Sequence, residues 1–274
     1  MRLPRQPTTH CVLTLLLFDT HLPLPPVLPL LVLHHTHIEW VQDTAAATDK
    51  WGDIGDWDVS GVKDFSLAFS KQRDEGGSFV SNGNLKAATF VGTAISKWKT
   101  TALTSLENTF RDAGAMNSDL SGWSVVKVTT MESAFYGASK FTGGGLNLWE
   151  TTALTNLNAA FDSAGEMNND LGGWSVAKVT SMVYTFKRAS KFIGMGLGSW
   201  DTASVKSLRE TFRSAKAFVG TGLSSWDTTS VTSLAETFKF AIKFNTDLHS
   251  FDVSGTAVMT GGVAAREPRG GAGC

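Results

Sequence analysis

Between Trp57 and Phe251 the apolar residues recur at fixed places in a unit of 25 or 26 residues. Trp57, Trp98, Trp123, Trp149, Trp174, Trp200 and Trp226 set the register, with Phe251 in the same slot, and from Trp98 onward the steps are 25, 26, 25, 26, 26 and 25 residues. The first gap is 41 residues, one unit plus an insertion of about 15 near Ser70–Asn84. Counting from each Trp, Ile or Leu stands three residues before, as at Ile54, Ile95 and Leu120. Val or Leu stands five after, Leu, Met or Phe eight after, and Ala fifteen after in most units. Phenylalanine occupies position 12 without exception in seven units: Phe69, Phe110, Phe135, Phe161, Phe186, Phe212 and Phe238. Position 18 holds Met or Phe, as at Met116, Phe141, Met167 and Phe192. Residues 100–150 and 151–201 also match as longer blocks, beginning TTALTSLENTF and TTALTNLNAAF, the mark of two units duplicated together.

Within a unit, Val205, Leu208, Phe212, Ala215 and Phe218 are spaced 3, 4, 3 and 3 residues, the spacing of one helix face. Ser/Thr-x-x-Glu pairs precede or open these stretches at Thr104/Glu107, Thr129/Glu132, Ser207/Glu210 and Ser233/Glu236 and read as capping boxes. The pattern therefore predicts a short helix of about 9–12 residues per unit. Gly- or Asn/Asp-rich turns follow (MNSDL, TGGGL, IGMGL). After each Trp, a Ser/Thr/Val stretch predicts a short extended segment. A unit this small cannot bury its own apolar face, whereas stacked neighbours can. The expected fold is thus α/β, a leucine-rich-repeat-like solenoid of about eight units over residues 41–260. The Trp and Phe columns form its core, and the short C-terminal remainder, residues 261–274, is expected to be a disordered tail.

Composition narrows the chemistry. Six of the seven prolines and five of the six histidines lie in the first 37 residues, and the two cysteines are Cys11 and Cys274. Residues 38–248 hold neither His nor Cys, which excludes from them a His-based triad, a thiol nucleophile and a Cys/His zinc site. No disulfide framework is available there, so cysteine usage does not indicate a compartment. A net charge of −1 is unlike the basic excess of nucleic-acid binders. Residues 1–40 form an atypical Pro- and His-rich apolar head. Its first apolar run, after Arg2 and Arg5, has the length of a signal core without a clean cleavage site, so a degenerate signal and translated upstream sequence stay open as readings. Its prolines and Asp19 argue against a membrane span.

Segments such as SWDTTSVTSLAETFKFAIKFNTDLHSFDVS and GWSVVKVTTMESAFYGASKFTGGGLNLW resemble the BspA-like surface-protein repeat family, in its 25-residue mycoplasma lipoprotein form, a domain of unknown function. DIGDWDVSGVKDFSLAF at 53–69 looks like the first unit of such an array. The resemblance covers about residues 51–260. It implies a leucine-rich-repeat-like fold, an extracellular or cell-surface place, and adhesion or another interaction without catalytic residues.

Candidate functional residues lie on the predicted outer face, at positions 9, 10, 13, 14, 16 and 17. Lys187, Arg188, Lys191, Arg209, Arg213 and Lys216 cluster there, with Lys206 nearby. They read either as a basic patch for an acidic glycan or acidic protein, or as a solvated face with ordinary ion pairs. The Asn-x-Asp turns Asn117/Asp119, Asn168/Asp170 and Asn245/Asp247 read as turn caps rather than calcium loops, since each offers few carboxylates. The alternating Thr/Val column Thr100, Val125, Thr151, Val176, Thr202 and Thr228 allows a flat binding face, or simply a polar extended segment. No carboxylate pair is singled out for acid–base chemistry. The expectation is a non-enzymatic protein, with no cofactor or metal, that binds an unidentified protein or acidic glycan. The alternative is a purely structural array, or a fragment of a larger surface protein, without a ligand of its own.

Overall fold

Each unit makes one coil of the chain, and successive coils stack in register. The computed structural model describes residues 41–252 and 254; the head at 1–40 and the tail at 261–274 lie outside the described residues. Inside the repeats the expected helices are replaced by linked β-turns. The amides of Leu208, Glu210, Phe212 and Ser214 donate to the carbonyls of Ser233, Ala235, Thr237 and Lys239 in the next coil at 2.8–2.9 Å. Those of Thr211, Arg213 and Ala215, lying between and after them, donate three residues back, to Leu208, Glu210 and Phe212, at 3.1–3.2 Å. An α-helix would bond each amide four residues back and hold every φ negative. Here φ is +53° at Glu210 and +59° at Ser214, and the same two positions are positive at Ser133 and Gly137 and at Tyr184 and Arg188. A turn that returns the chain every three residues puts its first and last side chains on one side. Linked turns therefore reproduce the 3, 4, 3, 3 spacing that a helix face would show.

The extended segment shrinks likewise. One residue per coil, seven after the Trp slot, forms an isolated parallel bridge: Asp64, Ser105, Thr130, Asn156, Ser181, Ser207 and Ser233 link in sequence. The hydroxyls expected to cap helices bind these turns instead. Ser207 Oγ accepts from the Arg209 amide at 3.4 Å, and Thr129 Oγ1 donates to the Thr104 carbonyl in the preceding coil at 3.3 Å. The fold is a stack of turn-built coils, not an α/β array of helix–strand units. Among the described residues, α1 (Thr44–Trp51) lies ahead of the repeats, and short 3-10 turns such as Leu197–Ser199 lead into the tryptophans.

The core is aromatic. The position-12 rings Phe69 to Phe238 form one unbroken column, with centroids 5.4–5.7 Å apart and planes within 17°. Phe141, Phe192, Phe218 and Phe244 stack on the ring of their own coil at 3.9–4.3 Å. All seven tryptophans of the register are buried. From Trp98 to Trp226 each indole N–H donates to the carbonyl three residues before the previous Trp slot, at 2.7–3.0 Å. Trp57, with no earlier repeat beneath it, donates to the Trp51 carbonyl at the end of α1, which thereby takes the place of a preceding coil. Burying a large apolar side chain is worth about 1.5–3 kcal/mol, so each coil depends on its two neighbours for most of its stability.

Buried threonines close the remaining backbone bonds. Thr109, Thr185, Thr211 and Thr237 donate to carbonyls of the preceding coil at 2.8–3.0 Å. Thr100, Thr151, Thr202 and Thr228 reach the following coil at 2.9–3.2 Å. With Val125 and Val176 between them, these last four are buried, so the Thr/Val column presents no flat face to solvent. The insertion folds as a small loop: Arg73 bridges Phe79 in antiparallel fashion, and Val80 and Asn84 donate back to Gln72 and Lys71. No helix among the described residues is long and apolar enough to cross a membrane.

Candidate functional site

The linked turns point positions 9, 10, 13 and 14 outward, so one side of the stack is a surface of side chains from these positions. Its backbone amides are spent on the turns and on the next coil. What this surface offers a partner is therefore side-chain chemistry rather than a free strand edge.

Aromatic rings and cations alternate along it. Phe79, brought in by the insertion, lies 5.6 Å from the Arg111 guanidinium, which covers the Tyr136 ring at 4.1 Å. Two steps further, at 5.5 and 5.6 Å per coil, Tyr184 carries Lys187 Nζ at 4.4 Å, with Arg209 at 5.5 Å. Phe240, exposed by 59%, ends the row beside Arg213 and Lys239 at 5.9 and 5.5 Å. The coil between the tyrosines carries the small residues Ala159 and Ser163 at positions 10 and 14. The dip above it is a trough of about 480 Å³ lined by Arg111, Glu132, Tyr136, Asn158, Asp162, Tyr184 and Arg188 among others. Cation–ring contacts of this kind hold otherwise mobile side chains in place.

The six basic residues expected on the outer face fall into two groups. Lys187, Arg188, Arg209 and Arg213 belong to the row, and each pairs with a carboxylate. Lys187 and Arg213 reach Glu210 at 2.7 and 2.9 Å, Arg209 reaches it at 3.6 Å, and Arg213 also binds Glu236. Arg188 spans both oxygens of the buried Asp162, at 3.1 and 3.3 Å. Lys191 and Lys216 lie beyond the row, exposed, with no carboxylate within 4 Å among the described residues. Much of the patch's charge is thus compensated by its neighbours.

Burial raises the Glu210 carboxyl, but hydrogen bonds from Lys187 and Arg213 override it and hold the group below its ordinary value. A depressed carboxyl contributes stability that is present above the ordinary glutamate range and is lost as pH falls through the folded-state value. Accordingly, Glu210→Gln should destabilise the protein at about pH 7. The gap between parent and variant should close as denaturation is repeated at pH values falling below the ordinary range near 4.3. A gap independent of pH would rule out this network as its cause. In the neighbouring carboxylate column the sign is opposite: burial, Glu132 and Asp64 push Glu107 upward.

The Asn-x-Asp turns bind backbone. Asp119 and Asp170 accept from Ser121 and Gly172 at 2.9 and 2.8 Å, and Asn117 and Asn168 accept from the amides of Thr142 and Ile193 in the next coil at 3.0 and 3.1 Å. Among the described residues no three His, Cys, Asp or Glu side chains come together as a metal group would. The Trp and Phe columns lie inside the stack, leaving no indole ladder for a ligand.

Sequence reasoning singled out neither Arg111 nor the aromatic members of the row. The signal was present: the chain has only two tyrosines, Tyr136 and Tyr184, and both stand at outward positions of their units. No curated protein and no solved structure matches this chain. The family described as "Mycoplasma protein of unknown function, DUF285" matches it over residues 39–145, 80–196, 119–218 and 191–261, overlapping segments that run through the repeats. The chain belongs to that family.

Proposed function

We propose that the chain is a non-enzymatic binding protein, secreted or held at the cell surface, which engages a protein or glycan partner through the aromatic–cation row. The observation that carries this reading is the row itself. Four aromatic rings outside the core, at Phe79, Tyr136, Tyr184 and Phe240, fall on one side of the stack, each within 6 Å of a cation. Aromatic and Arg side chains are the residue types that dominate binding energy at interfaces, and a stack of coils offers several such contacts in line. The resemblance to BspA-like surface proteins supports the same reading.

Full-length protein on an array of glycans and extracellular-matrix proteins should bind at least one component. The double variant Tyr136→Ala/Tyr184→Ala should weaken it by about 2 kcal/mol or more, some thirtyfold, with its unfolding transition retained. Binding unchanged in the folded variant overturns the role of the row. The second reading is a structural array without a ligand. It is favoured by the pairing of Lys187, Arg188 and Arg213 with Asp162, Glu210 and Glu236, which uses charge to hold coil to coil. Absence of any binding would support it.

A further inference from the structure

Resting on that reading of the row, we infer that the trough between Tyr136 and Tyr184 takes a carboxylate-bearing oligosaccharide of the uronate class, with Arg111 as its charge anchor. Five cations of the row, Lys187, Arg188, Arg209, Arg213 and Lys239, already have a carboxylate within 4 Å. Arg111 has none among the described residues. Its one hydrogen bond there is from NH1 to the Asn108 amide oxygen at 3.3 Å, and its buried Nε is unpartnered. Yet its guanidinium is fixed between the Phe79 and Tyr136 rings. A planar cation held in place without an anion suits bidentate capture of a ligand carboxylate at little cost in ordering.

The rest of the lining suits a sugar more than a peptide. Glu132, Asn158 and Asp162 supply acceptors for hydroxyl groups, and the tyrosines supply apolar ring surface on both sides of a floor made small by Ala159. An extended peptide docks chiefly by pairing its backbone with a free edge. Here the amides of Ser133, Phe135 and Gly137, and of Ala159, Phe161 and Ser163, already bond to the next coil.

The test is calorimetric titration of the full chain with tetragalacturonate, with neutral cellotetraose and with hexaglutamate. The parent should bind tetragalacturonate, more weakly as salt is raised, and cellotetraose much less. Arg111→Gln should lower the affinity for the uronate at least about tenfold, while Lys216→Gln, beyond the row, leaves it unchanged. Arg111→Lys, which keeps the charge and loses the planar fork, should fall between, and it serves as the test if the Gln variant does not fold. No binding of tetragalacturonate, or binding indifferent to Arg111, overturns the inference. Preference for hexaglutamate overturns the sugar class while leaving the row as a binding surface. If the double tyrosine variant also keeps every interaction found on the array, the proposed function itself fails.

Discussion

Replacing Phe161 by alanine should destabilise the protein by about 3–5 kcal/mol, measured as a lowered denaturant midpoint. The ring is fully buried and stacks on Phe135 at 5.5 Å and on Phe186 at 5.6 Å, both within 5° of parallel, with Trp174 tilted against it at 6.1 Å. Truncation removes the middle member of the column and opens a cavity shared by two coil–coil interfaces. Because a stack one unit wide has no other core to relax into, that cavity should collapse little. Phe240→Ala provides the contrast. It is a phenylalanine of the row, exposed by 59%, and its loss should move stability by no more than about 0.5 kcal/mol. Equal effects at the two sites would mean that the position-12 column is not the core.

The second large effect lies in the backbone. Gly196 has φ +80°, and a Cβ there would stand 2.1 Å from the Gly172 nitrogen and 2.2 Å from the Asp170 Oδ1 in the preceding coil. Gly196→Ala therefore meets both a disfavoured conformation, about 1–2 kcal/mol, and backbone that cannot move aside without parting two coils, about 1–3 kcal/mol. The expected loss is about 2–5 kcal/mol in the same denaturation assay. Gly61→Ala, where a Cβ meets nothing within 4 Å, should lie within about 0.5 kcal/mol of the parent. A Gly196→Ala variant as stable as the parent would mean that this turn does not pack on its neighbour.

The period, the stacking direction and the core columns were legible because burial acts on side chains, and side chains are what a repeat pattern records. The local conformation was not. Val205, Leu208, Phe212, Ala215 and Phe218 have helical spacing, yet the chain between them passes through positive φ at Glu210 and Ser214, residue types that give no warning of it. Gly137, at the position equivalent to Ser214, was the nearest hint, a glycine standing where other units hold Asp112, Ser163 or Arg188 at positive φ. The favourable term that outweighs this local strain is non-local: four amides per coil bonded to a chain segment about 25 residues away. The outer face was partly legible. Positions 9, 10, 13 and 14 do point outward, and Lys187, Arg188, Arg209 and Arg213 lie there. Their pairing with Asp162, Glu210 and Glu236 depends on side chains in adjacent coils, as does the meeting of Arg111 with a ring from the insertion, which lies outside the repeat altogether.

The row exists because linked turns, bonded from coil to coil, turn those positions outward and consume the backbone between them. Scalar couplings across hydrogen bonds, measured by NMR, test that arrangement most directly. The Phe212 amide should couple to the carbonyl carbon of Thr237 and the Glu210 amide to that of Ala235, each 25 residues on. Couplings from these amides to the carbonyls four residues before them would show an α-helix in place of the turns and contradict the account.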